Sequence, residues 1–145
     1  MKRILVDMSA TLIHHGHIRL LKSAKEMGEV IVALTTDEEI KKNKGYLPEL
    51  TYQQRYEILM AIKYVDKVVP SPWLLTETEL IKANADYLLH GSDNSNLVPK
   101  EKLLILPRTK GISSSFLRRR VVKSLFSKYL FNFFKFFKGK KLIYE

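Results

Sequence analysis

The chain has 145 residues, 46% of them hydrophobic and 28% charged, with no cysteine and a formal net charge of +10. That size fits one domain with a sizeable core, and the missing thiols exclude disulfides and thiolate metal sites. The charge is lopsided: residues 116–145 carry nine Lys or Arg against Glu145 alone, whereas the first 115 residues hold 16 basic and 14 acidic side chains. The basic balance is therefore no argument that the body binds nucleic acid.

Near the start, Lys2 and Arg3 precede a short apolar run that Asp7 ends, too brief for the apolar region of a secretory leader. No stretch reaches the roughly 20 apolar residues that span a bilayer, and a cytoplasmic location is expected. "RILVDM" reads as a strand. From Gly16 to Met27, Ile18, Leu20, Leu21, Ala24 and Met27 recur at helical spacing, and Gly28 is a stop signal. "EVIVALTT" is a β-branched strand of buried character. In "DEEIKKNKGYLPEL", Asp37 is expected to cap a helix, with Gly45 and Pro48 turning its second half into a loop. "TYQQRYEILMAI" is a helix capped by Thr51, and "DKVVP" a brief strand closed by Pro70. "TETELIKANA" has Thr76 and Glu79 at capping-box spacing. "DYLLHG" and "KLLILP" are two more strands, and "ISSSFLRRRVVKSLF" opens a last helix.

Strands alternating with helices predict an α/β fold: a single Rossmann-like, doubly wound, parallel five-stranded sheet with helices on both faces, plus a C-terminal helical extension. Residues 1–118 form the body and 119–145 a basic amphipathic tail. Ligands of such sheets sit beyond the carboxyl ends of the strands, where strand order reverses. Residues 7–17, 35–44, 90–94 and 107–115 should therefore hold the chemistry.

The first of these segments contains three of the four histidines, His14, His15 and His17, around Gly16. Spaced i, i+3, His14 and His17 can present two metal ligands, but a zinc site needs two more. They can also pack or cap the helix. A third reading uses the place: a helix N-terminus is an anion site, Gly16 admits a phosphate, and imidazoles can donate to phosphate oxygens.

"His14-His15-Gly16-His17" fits an HxGH signature, and "Arg108-Thr109-Lys110-Gly111-Ile112-Ser113-Ser114-Ser115" resembles an RTxGIST segment. In this order the two are characteristic of the HxGH nucleotidyltransferase superfamily. The chain resembles its cytidylyltransferases, most of all those using glycerol 3-phosphate, over about residues 1–120. The resemblance implies transfer of CMP from CTP to a small phosphorylated alcohol, giving a CDP-alcohol and pyrophosphate by direct in-line attack.

It also implies roles. His14, His17, Lys44 and Arg108 would be catalytic. Ser9, Gly16, Asp93, Thr109, Gly111, Ile112, Ser113, Ser114 and Ser115 would bind the nucleotide, with Arg55, Lys63 and Trp73 on the acceptor side. Mg²⁺ would accompany the triphosphate without a dedicated protein ligand, and a homodimer is expected. Departures from the family pattern are Met8-Ser9-Ala10-Thr11 for a Gly-Thr-Phe-Asp run, Lys63 for an arginine, and Ser92-Asp93 for an Asp-Asp pair. An ATP-using adenylyltransferase, another phosphate acceptor such as phosphocholine or phosphoethanolamine, and a non-catalytic nucleotide-binding module are the alternatives.

In the tail, Val122, Leu125, Phe126, Tyr129, Leu130, Phe133, Phe134 and Phe137 share one helical stripe, with Lys123, Lys128 and Lys135 off it. The stripe is expected to pack on the body or a sister subunit, with peripheral membrane contact through residues 119–138 as the second reading.

Overall fold

The computed structural model describes residues 1–139, with side chains through Asn132. The elements run β1 (Arg3–Met8), α1 (His15–Met27), β2 (Glu29–Thr35), α2 (Asp37–Lys44), α3 (Tyr52–Met60), β3 (Lys67–Ser71), α4 (Glu77–Ala83), β4 (Tyr87–Gly91), a single 3₁₀ turn (Lys100–Lys102), β5 (Leu103–Leu106) and α5 (Ser114–Gly139). The five strands form one sheet in the order β3-β2-β1-β4-β5. Every pairing is parallel; Val6 of β1, for example, sits between Val32 of β2 and Leu89 of β4. This is the expected doubly wound α/β sheet.

Alternation along the strands divides the core in two. Ile4, Val6, Val30, Val32 and Leu34 pack with Leu21 and Ala24 of α1 and Leu59 of α3. On the other face Leu5, Ile31, Ala33 and Leu88 pack with Leu75 and with Leu80 of α4. From β1 the chain winds outward through β2 to β3, then crosses back to place β4 on the opposite side of β1. The crevice between β1 and β4 is the switch point of the sheet, the place where such folds receive ligands.

Most helix starts follow local chemistry. Thr51 with Gln54, and Thr76 with Glu79, make the reciprocal bonds of a capping box. One expectation is corrected: Thr36, not Asp37, caps α2. The Asp37 carboxylate is drawn away to accept from the Tyr52 N–H at 2.9 Å and from Arg55 at 2.5 Å. The expected packing of the tail stripe on the body is also absent among the described side chains: Val122, Leu125, Phe126, Tyr129 and Leu130 are all exposed. Phe133, Phe134 and Phe137 of that stripe, and Lys135, lie outside the described side chains.

Candidate active site

The loop from β1 to α1 turns sharply, with Ala10 buried at a left-handed φ of 48°. It delivers His14 as the N-cap of α1. His14 Nδ1 accepts from the Gly16 N–H at 3.1 Å, and His17 Nδ1 accepts from the His14 N–H at 3.2 Å. The helix thus starts on a capping box built from two imidazoles. An Nδ1 that accepts carries no proton, so each neutral ring is the Nε2–H tautomer and keeps that N–H for a ligand. Gly16 is needed for this arrangement: a Cβ there would lie 2.9 Å from two His14 ring atoms and 3.3 Å from Ile112.

The ring centroids of His14 and His17 are 4.0 Å apart. Burial foremost, then repulsion from a protonated His14 and from Arg108, pushes the His17 pKa down to about 4. Burial, His15 and Arg108 lower His14 as well. Both rings are therefore neutral donors near pH 7, beside a fixed guanidinium.

These groups line a cavity of about 640 Å³ at the strand ends, and Ser9, Gly16, Lys44, Trp73, Asp93, Arg108, Thr109, Ile112 and the serine run Ser113–Ser115 line it too. All four segments singled out from the sequence contribute to it. Arg108 donates to Asp93 at 2.8 Å, which aims its fork. Ser113 Oγ accepts from the Phe116 N–H at 3.0 Å, and Ser114 Oγ donates to the Leu12 carbonyl at 3.2 Å. The first bond is local to the start of α5, and the second fastens that start to the β1–α1 loop. Lys44 ends α2 before Gly45, whose φ of 75° needs a residue at ease in left-handed backbone. Its Nζ lies 5.2 Å above the Trp73 ring. Burial and Arg118 lower the Lys44 pKa, with Glu49 partly opposing.

Three named residues stand elsewhere. Gly111, at φ 77°, makes the turn before α5 and does not line the cavity. Lys63 is exposed past the end of α3, over the Tyr64 ring, and outside the cavity. Arg55 is 0% exposed and also outside it. Its guanidinium is consumed by the carbonyls of Ser9 at 2.6 Å, Thr35 at 2.9 Å and Leu50 at 3.1 Å, besides Asp37. It ties the ends of β1 and β2 together behind the cleft.

Other cleft residues have no role assigned from the sequence. His90 lines the cavity with Nε2 3.4 Å from Asp7, which also accepts from Asn96 at 2.8 Å. Burial pulls the His90 pKa down, but the bonds to Asp7 and to the Gly91 carbonyl, with the charges of Asp7 and Asp93, outweigh it and the net shift is upward. Arg118, part of the run Arg118-Arg119-Arg120, also lines the cleft.

A family model described as cytidylyltransferase-like matches residues 9–120. The chain belongs to that family. Glycerol-3-phosphate cytidylyltransferase of Staphylococcus aureus is 38% identical over 129 residues, 83% of this chain and 96% of that protein. Ethanolamine-phosphate cytidylyltransferase of Dictyostelium discoideum is 36% identical over 132 residues, and there the cytidylyltransferase-like chain spans only 36% of the relative's length. A solved structure, the lipopolysaccharide core biosynthesis protein from Thermoplasma volcanium GSS1, shares the fold with a TM-score of 0.64 at 21% identity, covering 76% of this chain and 99% of its own.

Proposed function

We propose that the protein is a CTP-dependent cytidylyltransferase acting on a small phosphorylated alcohol, glycerol 3-phosphate first among the candidates. One observation carries the reading: the two neutral imidazoles, Arg108 and the start of α5 border a single cleft at the switch point of the sheet. The near-complete overlap with the S. aureus relative supports that acceptor.

In this reaction an acceptor phosphate oxygen attacks the α-phosphorus of CTP. The bond to the bridging oxygen breaks, and pyrophosphate leaves with the electron pair. Catalysis is the positioning of two anions and the stabilisation of charge at phosphorus. His14 and His17 donate Nε2–H to phosphate oxygens, His17 to the pentacoordinate state. Arg108, aimed by Asp93, forks onto the triphosphate, and the free amides opening α5 hold its outer phosphates. Lys44 supplies mobile positive charge from the opposite wall.

Magnesium fits the site as a counter-ion brought by the triphosphate. The carboxylates of Asp7 and Asp93 are engaged with Asn96, His90 and Arg108, so the ion would be held mainly by phosphate oxygens and water. The homodimer, the cytoplasmic location and tail contact with a membrane surface belong to the same proposal; among the described residues no helix is long and apolar enough to cross a membrane.

Incubation with CTP and Mg²⁺ plus each candidate acceptor, following pyrophosphate, tests the reading. Release dependent on glycerol 3-phosphate is expected. ATP consumption with CTP inert would reverse the nucleotide assignment, and CTP binding without release on any acceptor would leave a binding module.

A further inference from the structure

Arg118 sits one helical turn beyond Ser114, on the face of α5 that meets the β1–α1 loop. Its Nη2 donates to Thr11 Oγ1 at 2.9 Å, and Thr11 is buried. The same Nη2 donates to Glu49 Oε2 at 2.6 Å while Nε donates to the other carboxylate oxygen, a two-pronged pair. The guanidinium carbon lies 4.8 Å from the centre of the Tyr46 ring. One side chain therefore joins the start of α5, the loop before α1, and the loop from Gly45 to Leu50.

That last loop follows directly on Lys44. We propose that Arg118 is a positioning residue for the transfer, holding the loop shut through Glu49 and Tyr46 so that Lys44 stays over the cleft. The inference rests on the activity proposed above. Glu49 neutralises the guanidinium, so Arg118 adds little to the field that draws substrate; Lys44 remains the cation on that wall. Thr11, which stands where the family pattern has an aspartate, meets Arg118 with a hydroxyl, and the carboxylate on Arg118 comes from Glu49. Lysine cannot replace Arg118, because a point charge neither forks onto both carboxylate oxygens nor stacks flat on Tyr46.

The test uses the full-length protein and two readouts, amide hydrogen exchange of residues 45–50 and pyrophosphate release. In Arg118→Ala and in Glu49→Gln, exchange over 45–50 should quicken by at least about tenfold, with the sheet amides unchanged. Release in kcat/KM should fall by about 10- to 100-fold, the scale of a misplaced catalytic group, and Arg118→Lys should not restore it. Because Arg118 acts through Lys44, the double variant Arg118→Ala/Lys44→Ala should be no slower than Lys44→Ala alone within about twofold. Unchanged exchange over 45–50, or losses that multiply in the double variant, would overturn the proposal. Glu49→Gln keeps the question decidable should Arg118→Ala fold poorly. A wild-type protein inactive on every acceptor would remove the activity reading alone, and the exchange comparison would still decide whether Arg118 holds the loop.

Discussion

The ring centroids of His14 and His17 lie 4.0 Å apart, and the backbone N–H of His14 donates to His17 Nδ1. Substitution of His17 therefore removes two things, an Nε2–H donor and half of a helix cap. His17→Ala should lower turnover at least about 100-fold, the loss seen with one transition-state donor. It should also reduce stability by about 1 kcal/mol, as a lost cap does. Pyrophosphate release and urea unfolding measure the two effects separately; near-normal turnover would remove His17 from the mechanism.

Arg55 should behave in the opposite way. Deleting its guanidinium removes the donor to three carbonyls, that of Thr35 buried, and leaves the Asp37 carboxylate with the Tyr52 N–H alone. Arg55→Met is expected to destabilise the fold by about 3 kcal/mol or more. The fraction of protein that still folds should bind the acceptor with little change in KM. A large rise in KM at unchanged unfolding midpoint would contradict the burial.

The pH dependence has a definite sign. Folding holds His17 at about 4 instead of 6.5, so the unfolded chain takes up the proton first. Its contribution to stability is complete above about pH 6.5 and is withdrawn as pH falls from there toward about 4, by at most about 3 kcal/mol. His14 acts in the same direction. His90, shifted upward, acts oppositely: its contribution is present below 6.5 and fades as pH rises through the raised value. His17→Gln keeps a side chain able to complete the cap and removes one titrating group. Urea midpoints of that variant should decline less steeply between pH 6.5 and 4 than those of the wild type. Parallel curves would mean that His17 titrates normally.

The tail should be dispensable for folding. Residues Arg119 to Asn132 are exposed along α5, and removing exposed residues rarely changes stability by more than about 0.5 kcal/mol. A chain ending at residue 122 should melt as the full-length protein does. Flotation with anionic vesicles then reads the membrane proposal: the full-length chain should rise with lipid and the shortened one remain below. Equal recovery of both in the lipid-free fraction would sink it.

Much of the architecture was legible because it rests on local patterns. The buried β-branched strands, the Thr51 and Thr76 caps, and the segments that follow the strand ends each declare themselves within a few residues. Arg108 and the serine run were also readable, because residues 108–115 resemble a contiguous family segment. What stayed hidden depends on the chain meeting itself. Arg55, set on the acceptor side by the resemblance, is buried only because the ends of two strands close over it. Arg118 is masked by Arg119 and Arg120, and its partners Thr11 and Glu49 lie 107 and 69 residues away. Asp7 and Asn96 are 89 residues apart, beyond any spacing rule. The tail stripe announced an apolar face and did not say what covers it.

Because the first turn of α1 and the imidazoles of His14 and His17 share the same pair of bonds, fraying that turn would scatter their N–H donors while the sheet beneath stayed whole. Mild heating should then silence the protein reversibly, well below the temperature at which it melts.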